Sequence, residues 1–152
     1  MDKTQELTAE KVVNEYSYEK LVDIFFRYGE EKYSTSIAKN IISKRPITTT
    51  IELVDIIREA VPFKYSREKH PARKIFQAIR IEVNHELEVL EIALKDALSM
   101  LKVGGRIVVI TFHSLEDKMV KDIFKEVTSI DKMVRGLPEI PIEYQPKFKL
   151  IN

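Results

Sequence analysis

Residues 104–117 read GGRIVVITFHSLED, and this stretch decides the fold class. Two glycines precede Ile107 to Ile110, a run that is apolar at every position. A run of this kind is typical of a central parallel strand, which helices cover on both faces. The polar turn after it begins another helix, because Ser114 and Asp117 have the spacing of a capping box. We therefore predict a strand over 106–112, a helix from 114 to 127 and an α/β fold.

Upstream of this stretch the first third of the chain is predicted to be helical. Ser17 is placed to cap the first helix, and Gly29 is placed to end it in the left-handed conformation. Thr49 and Glu52 have the spacing of a capping box. The apolar residues between these signals recur at helical spacing. The predicted helices span residues 17–28, 31–44 and 49–61.

A polar, cationic loop is predicted over residues 62–69, followed by one long helix. Pro71 suits the first turn of that helix, where its missing N–H is not needed. The apolar pattern then continues from Ile75 to Leu101, which is long for a globular helix. We expect this helix to bend or divide near Asn84 and His85.

The predicted strand creates a conflict within the chain. A strand that is buried on both faces needs partner strands on each side, and the only other candidate is a weak one at residues 148–151. The simplest explanation is that these 152 residues are part of a larger α/β domain whose other strands are missing.

Composition excludes several classes of protein. A hydrophobic share of 44% and a charged share of 32% are typical of a soluble globular domain. No apolar run approaches the roughly 20 residues that span a bilayer, and no secretory signal is visible. With no cysteine and three separated histidines, a disulfide framework or a metal site is not expected. The predicted location is the cytoplasm.

A basic block at the start of the long helix is a candidate nucleic-acid site. Between Lys64 and Arg80 there are six cations against one carboxylate, Glu68. Phosphate contacts from cations and base contacts from amides would suit RNA. The alternative is that His70 caps the helix and that the other polar side chains on its face pack against the end of a neighbouring helix. The candidate RNA-binding residues share one helix face: His70, Lys74, Gln77, Arg80 and Asn84.

His113 and Ser114 are the candidate catalytic residues. They follow the predicted strand, and ligands of open α/β sheets bind outside the carboxyl ends of strands. A neutral His113 or the Ser114 hydroxyl could accept a hydrogen bond from a substrate amine. The alternative is that Ser114 only caps the helix with Asp117 and that His113 is a structural turn residue.

These motifs resemble those of the MraW/RsmH family. The resemblance rests mainly on His70-Pro71-Ala72 with Phe76-Gln77-Ala78-Ile79-Arg80, and on Gly104-Gly105-Arg106 with Phe112-His113-Ser114-Leu115-Glu116-Asp117. It implies a mostly helical chain, with a helical substrate-recognition insert over 1–68. Residues 69–152 would then form a long helix and the C-terminal strand and helix of a Rossmann-like methyltransferase domain.

The resemblance also implies a function. Members of this family transfer a methyl group from S-adenosylmethionine to the N4 amine of a cytidine in 16S ribosomal RNA. The expected partner is 16S rRNA or the small ribosomal subunit, without a membrane. Self-association into homo-oligomers is also an expectation, because an unpaired strand favours it.

The cofactor site is expected to lie outside this chain. No glycine-rich turn follows a strand, so we assign no cofactor-binding residue here and expect the isolated chain to be inactive. The alternative functions are a non-catalytic RNA- or ribosome-binding helical module and a helical scaffold whose basic patch is incidental.

Overall fold

The computed structural model describes residues 7–130, 134 and 138–151, and within them the regular structure is helical. The chain divides into two compact units, residues 1–86 and 87–152. The helices are α1 (Ala9–Glu15), α2 (Tyr18–Arg27), α3 (Ser34–Ser43), α4 (Thr50–Glu59), α5 (Phe63–Lys69), α6 (Pro71–Asn84), α7 (Glu86–Ser99) and α8 (Ser114–Thr128), followed by a short 3-10 helix (Ile142–Tyr144).

The first unit is a helical cluster arranged around α2 and α6. α2 packs on α3 and α6, while α6 also packs on α1 and α4. Phe25, Ile37 and Ile75 are fully buried in its core. Fully burying an aliphatic or aromatic side chain stabilises a fold by about 1.5–3 kcal/mol, so this core holds the α6 backbone in a fixed place.

The helix starts predicted at Ser17 and Thr49 are confirmed. The hydroxyl of Ser17 accepts a hydrogen bond from the amide of Lys20 at 3.3 Å, and that of Thr49 accepts one from Glu52 at 3.2 Å. The second predicted helix starts later than expected, at Ser34 instead of Glu31. Glu31 lies in the turn before the helix, where its side chain is buried.

The loop predicted over residues 62–69 is wrong, because Phe63–Lys69 forms the helix α5. Its sequence lacks an apolar stripe, which is why periodicity did not reveal it. Two features favour the helix. Tyr65 makes tertiary hydrogen bonds to Glu31, and Arg67 and Lys69 lie in the last turn of the helix. Cations are favourable there because the C-terminal end of a helix carries partial negative charge.

The predicted division of the long helix is confirmed. α6 ends at Asn84 and α7 begins at Glu86, with His85 between them at φ 50°. His85 is therefore in the left-handed region, which ends an α-helix without a glycine when the residue tolerates that conformation.

The second unit has a small core between α7 and α8. Leu94 and Leu98 of α7 are buried with Val120 and Ile123 of α8. Ile107 and Val109 pack against this cluster from the segment between the two helices. Among the described residues of the chain, no helix is both long enough and apolar enough to cross a membrane.

The strand predicted over residues 106–112 is not formed, and neither is the weaker one at 148–151. A strand requires a backbone partner, and none is paired with either segment in the described ranges. The side chains of Val108, Ile110 and Phe112 are 87%, 78% and 88% exposed. The α/β prediction thus holds only as a mostly helical architecture, and the structure does not confirm its Rossmann-like part.

Candidate functional site: the α6 face and the His113 turn

Two of the five candidate RNA-binding residues hold the loop between α2 and α3. The ammonium of Lys74 donates a hydrogen bond to the Glu30 carbonyl at 2.9 Å. The amide of Gln77 donates one to the Tyr28 carbonyl at 3.0 Å. These backbone contacts use donors that the sequence analysis assigned to RNA, so in this structure the two side chains position a loop.

A buried carboxylate completes this loop. Glu31 is 0% exposed, and its Oε1 accepts hydrogen bonds from the Tyr33 amide at 2.9 Å and the Tyr65 hydroxyl at 2.8 Å. Its Oε2 lies 2.9 Å from the same hydroxyl and 3.7 Å from the Lys74 ammonium. Removing a carboxylate from water costs several kcal/mol unless such partners replace its hydration. Glu31 therefore joins the loop, α5 and α6.

Tyr65 is the central donor of this network. Burial is the main cause that raises the pKa of Tyr65, followed by its hydrogen bond to Glu31 and the charge of that carboxylate. Its ring meets that of Tyr33 edge-on at 4.7 Å, and the Lys32 ammonium lies 4.6 Å from its centroid. Glu31 and Tyr65 were not predicted from the sequence, because the two residues are far apart in the chain and no local spacing connects them.

Gly29 is required by close packing, which corrects its predicted role. Its φ is not positive, and the left-handed residue of this loop is Glu30, with φ 48°. A Cβ atom at Gly29 would lie 2.6 Å from the Phe25 carbonyl oxygen and 3.0 Å from that of Lys74. The glycine thus allows the end of α2 to approach the α6 backbone.

The remaining residues of the predicted face behave differently from one another. Arg80 Nε lies 2.8 Å from Glu86, and the Asn84 amide donates to the same carboxylate at 3.1 Å. Both side chains are thus engaged at the C-terminal end of α6. His70 is exposed between α5 and α6, with φ 45° and no cap hydrogen bond from its side chain.

The turn before α8 is capped by His113, which corrects the predicted role of Ser114. His113 Nδ1 accepts a hydrogen bond from the Glu116 amide at 3.3 Å, and α8 begins at Ser114. The Glu116 carboxylate in turn accepts a hydrogen bond from the Phe112 amide at 2.7 Å. The pair therefore forms a reciprocal cap one residue earlier than the sequence suggested, with an imidazole where a hydroxyl is usual.

This cap fixes which nitrogen of His113 carries hydrogen. Since Nδ1 accepts the Glu116 N–H, the neutral imidazole carries its hydrogen on Nε2. Nε2 is buried, has no hydrogen-bond partner among the described residues and lies 3.5 Å from a Glu116 carboxylate oxygen. Neutral His113 can therefore donate from Nε2, but it has no free lone pair with which to accept a hydrogen bond.

The described residues of the second unit do not fit a nucleoside-type methyl donor. An open cavity of about 590 Å³ is lined by Thr128, Gln145 and Phe148 among others. Gly104 and Gly105 precede the extended segment, whereas a dinucleotide- or nucleoside-binding turn follows a strand and opens a helix.

Comparison with known protein families decides what this chain is related to. The family model described as the MraW methylase family matches residues 1–152. The chain belongs to the MraW methylase family. The resemblance noted in the sequence is thereby confirmed, and methyl transfer is the chemistry of the family.

Both sequence motifs lie within the residues that the family model matches. The match includes the α6 motif from His70 and the turn at His113, which lie in different compact units. Neither the family match nor the geometry tests the individual roles of these residues, so their roles in substrate binding and catalysis remain predictions.

Proposed function

We propose that this chain contributes the substrate side of an S-adenosylmethionine-dependent methyltransferase acting on the N4 amine of a cytidine in 16S ribosomal RNA. The observation that carries the proposal is the MraW methylase match over residues 1–152. The same proposal makes 16S rRNA, or the small ribosomal subunit, the partner. It also makes the chain a partial copy, which is inactive until a cofactor-binding half is supplied.

The exposed face of residues 106–112 supports the Rossmann-like part of this proposal. Val108, Ile110 and Phe112 project to solvent while Ile107 and Val109 pack inward. This alternation is that of a strand, and its exposed apolar side is what a second layer of a sheet domain would cover. Residues 106–112 would then become a paired strand when the remaining strands are present.

Within this proposal the two halves of the α6 face have different tasks. Lys74 and Gln77 position the α2–α3 loop through backbone hydrogen bonds. His70 and Arg80 are exposed and are the proposed direct RNA contacts, with Arg80 exchanging its contact with Glu86 for a phosphate. Asn84, which bonds the same carboxylate, is the proposed base-reading amide.

The turn at His113 is proposed to border the reacting cytidine. A base must leave its stack to be modified, at a cost of a few kcal/mol that is lower in a single-stranded site. The Ser114 hydroxyl, at an exposed position, would accept a hydrogen bond from the N4 amine, while His113, whose Nε2 is buried, would hold the turn in place through its cap on the Glu116 amide. These contacts would orient the amine lone pair for in-line transfer.

A non-catalytic RNA-binding module is the second candidate function. The observation that favours it is the poor fit of the described second unit to a methyl donor, combined with exposed cations on the first unit. This function predicts that the chain binds RNA and that no methyl transfer occurs even after a cofactor-binding half and S-adenosylmethionine are added.

One product measurement tests the proposal. The chain is mixed with the cofactor-binding half of a MraW-family methylase, S-adenosylmethionine and unmethylated 16S rRNA, and the nucleosides are analysed by mass spectrometry. We expect N4-methylcytidine in the complete mixture and none when this chain is omitted. A complete mixture that binds both cofactor and RNA without forming the product would refute the proposal and favour the module.

A further inference from the structure

A group of exposed side chains surrounds the end of α5 and the start of α6. Phe63 is 77% exposed, and the cations beside it in the chain are exposed as well. We name this group the junction surface, defined as Phe63, Lys64, Arg67, Lys69 and Arg73. Its four cations belong to the basic block noted in the sequence, but none of these five residues is among the five candidates named there for RNA binding.

Ion pairs with described residues do not balance the charge of the junction surface. In the described ranges, none of its four cations lies within salt-bridge distance of a carboxylate, and Glu68 is the only acidic residue of α5. Other exposed cations of the first unit do pair, as Arg27 does with Asp23 at 3.2 Å and Lys44 does with Glu59. The junction surface is therefore a local concentration of uncompensated positive charge.

Stability of the fold does not explain Arg73 or Phe63. Arg73 lies in the first turn of α6, and that turn contains no acidic residue. A cation there opposes the partial positive charge of the helix N-terminus by about 0.3–1 kcal/mol. Phe63 leaves most of its ring in water, where it contributes little to the core. Arg73 therefore lowers the stability of the fold, and the exposed ring of Phe63 adds little to it. Both features point to an external ligand.

The geometry within the surface indicates the kind of ligand. The Arg67 guanidinium carbon lies 5.8 Å from the centroid of the Phe63 ring, so the surface presents an aromatic face beside a cation. Proteins that bind single-stranded nucleic acid combine aromatic rings, on which bases stack, with cations that follow the phosphates. A base inside a duplex is already stacked and is not available to such a ring.

We propose that the junction surface binds a single-stranded segment of RNA, with a base stacked on Phe63 and phosphates bound by the four cations. This inference rests on the proposed function, whose substrate it locates on a surface distinct from the predicted α6 face. It identifies the required form of the RNA as an unpaired segment beside the modified cytidine.

Fluorescence titration of the full chain with a labelled single-stranded RNA of about 12 nucleotides tests this proposal. Phe63→Ala should weaken binding about tenfold, since one stacked base is worth roughly 1–3 kcal/mol. Arg67→Ala/Lys69→Ala should weaken it further and lower the slope of log affinity against log salt by about 1.4, at roughly 0.7 for each lost phosphate contact.

Two matched variants on other helices control for general effects. Phe26→Ala removes an aromatic ring that is 63% exposed on α2, and Lys39→Ala removes an exposed cation of α3. Both should leave the RNA affinity within twofold of wild type. Equal losses in the control and junction variants would overturn the proposal, because the binding would then be unspecific attraction to charge.

The outcomes separate this inference from the proposed function. Wild-type binding that the junction variants leave unchanged overturns the junction surface alone. A wild-type chain that binds no RNA overturns both the surface and the RNA partner. Loss of binding to anionic phospholipid vesicles in the junction variants, with RNA affinity unchanged, would assign the surface to a membrane and also overturn the proposal.

Discussion

At Tyr65, one hydroxyl group lies within hydrogen-bond distance of both oxygens of a fully buried carboxylate. Tyr65→Phe should lower the free energy of unfolding by about 1–3 kcal/mol, because Glu31 would lose a donor that water cannot replace. Chemical denaturation of the purified variant measures this loss. Tyr18→Phe is the matched control, since Tyr18 is 40% exposed and its hydroxyl makes no hydrogen bond to another described residue. A Tyr65→Phe variant as stable as this control would contradict the network.

Tyr16 gives the first unit a dependence on alkaline pH. Burial, followed by the hydrogen bond to Glu82 at 2.8 Å, raises the pKa of Tyr16 to about 12. The folded state therefore retains a proton that the unfolded chain releases near pH 10. Stability from this group is complete below about pH 10 and is lost as the pH rises toward about 12. Urea denaturation at several alkaline pH values should show a shallower decline in Tyr16→Phe than in wild type. Identical declines would contradict the assignment.

Residue patterns predicted local features better than distant contacts. Ser17 and Thr49 were recognised as caps because a cap is defined within four residues of sequence. Glu31 was not recognised, because its partners Tyr65 and Lys74 come from helices that only the tertiary fold brings together. Side chains with long reach, such as Lys74 and Gln77, share a helix face with Arg80 yet bond inward.

At the scale of elements, the close approach of α2 to α6 depends on Gly29. Gly29→Ala should lower the free energy of unfolding by about 1–3 kcal/mol, because the added methyl group meets two backbone carbonyl oxygens that cannot rotate away. Thermal denaturation measures the effect. Thr35→Ala, at an exposed position of α3, should change stability by less than about 0.5 kcal/mol. Equal stability of the two variants would show that the helices are not this close.

The start of α8 depends on the imidazole of His113. His113→Ala should weaken the first turn of α8 by about 1 kcal/mol, whereas His113→Asn should retain the cap because asparagine is a strong N-cap residue. Hydrogen exchange of the amides of residues 114–118 measures this difference. Ser114→Ala should have the smaller effect. A larger loss in Ser114→Ala than in His113→Ala would restore the capping box expected from the sequence.

Two elements show why sequence patterns failed at this scale. α5 lacks an apolar stripe, so its helix was not predicted, although Tyr65 anchors it to the core of its unit. Residues 106–112 have strand-forming side chains, but a strand exists only with a paired neighbour. For α5 the missing apolar stripe was misleading, and for residues 106–112 the strand-forming side chains were insufficient.

At the scale of the whole molecule, the two compact units have different relations to the proposed chemistry. The first unit has a closed core and presents the α6 face and the junction surface. The second has a smaller core and exposes the apolar side of residues 106–112. In the proposed function the first unit recognises RNA, and the second unit acts together with the cofactor-binding half that holds the methyl donor.

Calorimetric titration with S-adenosylmethionine tests this division most directly. The full chain is titrated alone and again after addition of the cofactor-binding half of a MraW-family methylase, with that half alone as the reference. We predict no binding heat for the chain alone and a higher affinity for the mixture than for the added half by itself. Tight binding of S-adenosylmethionine by the chain alone would contradict the account.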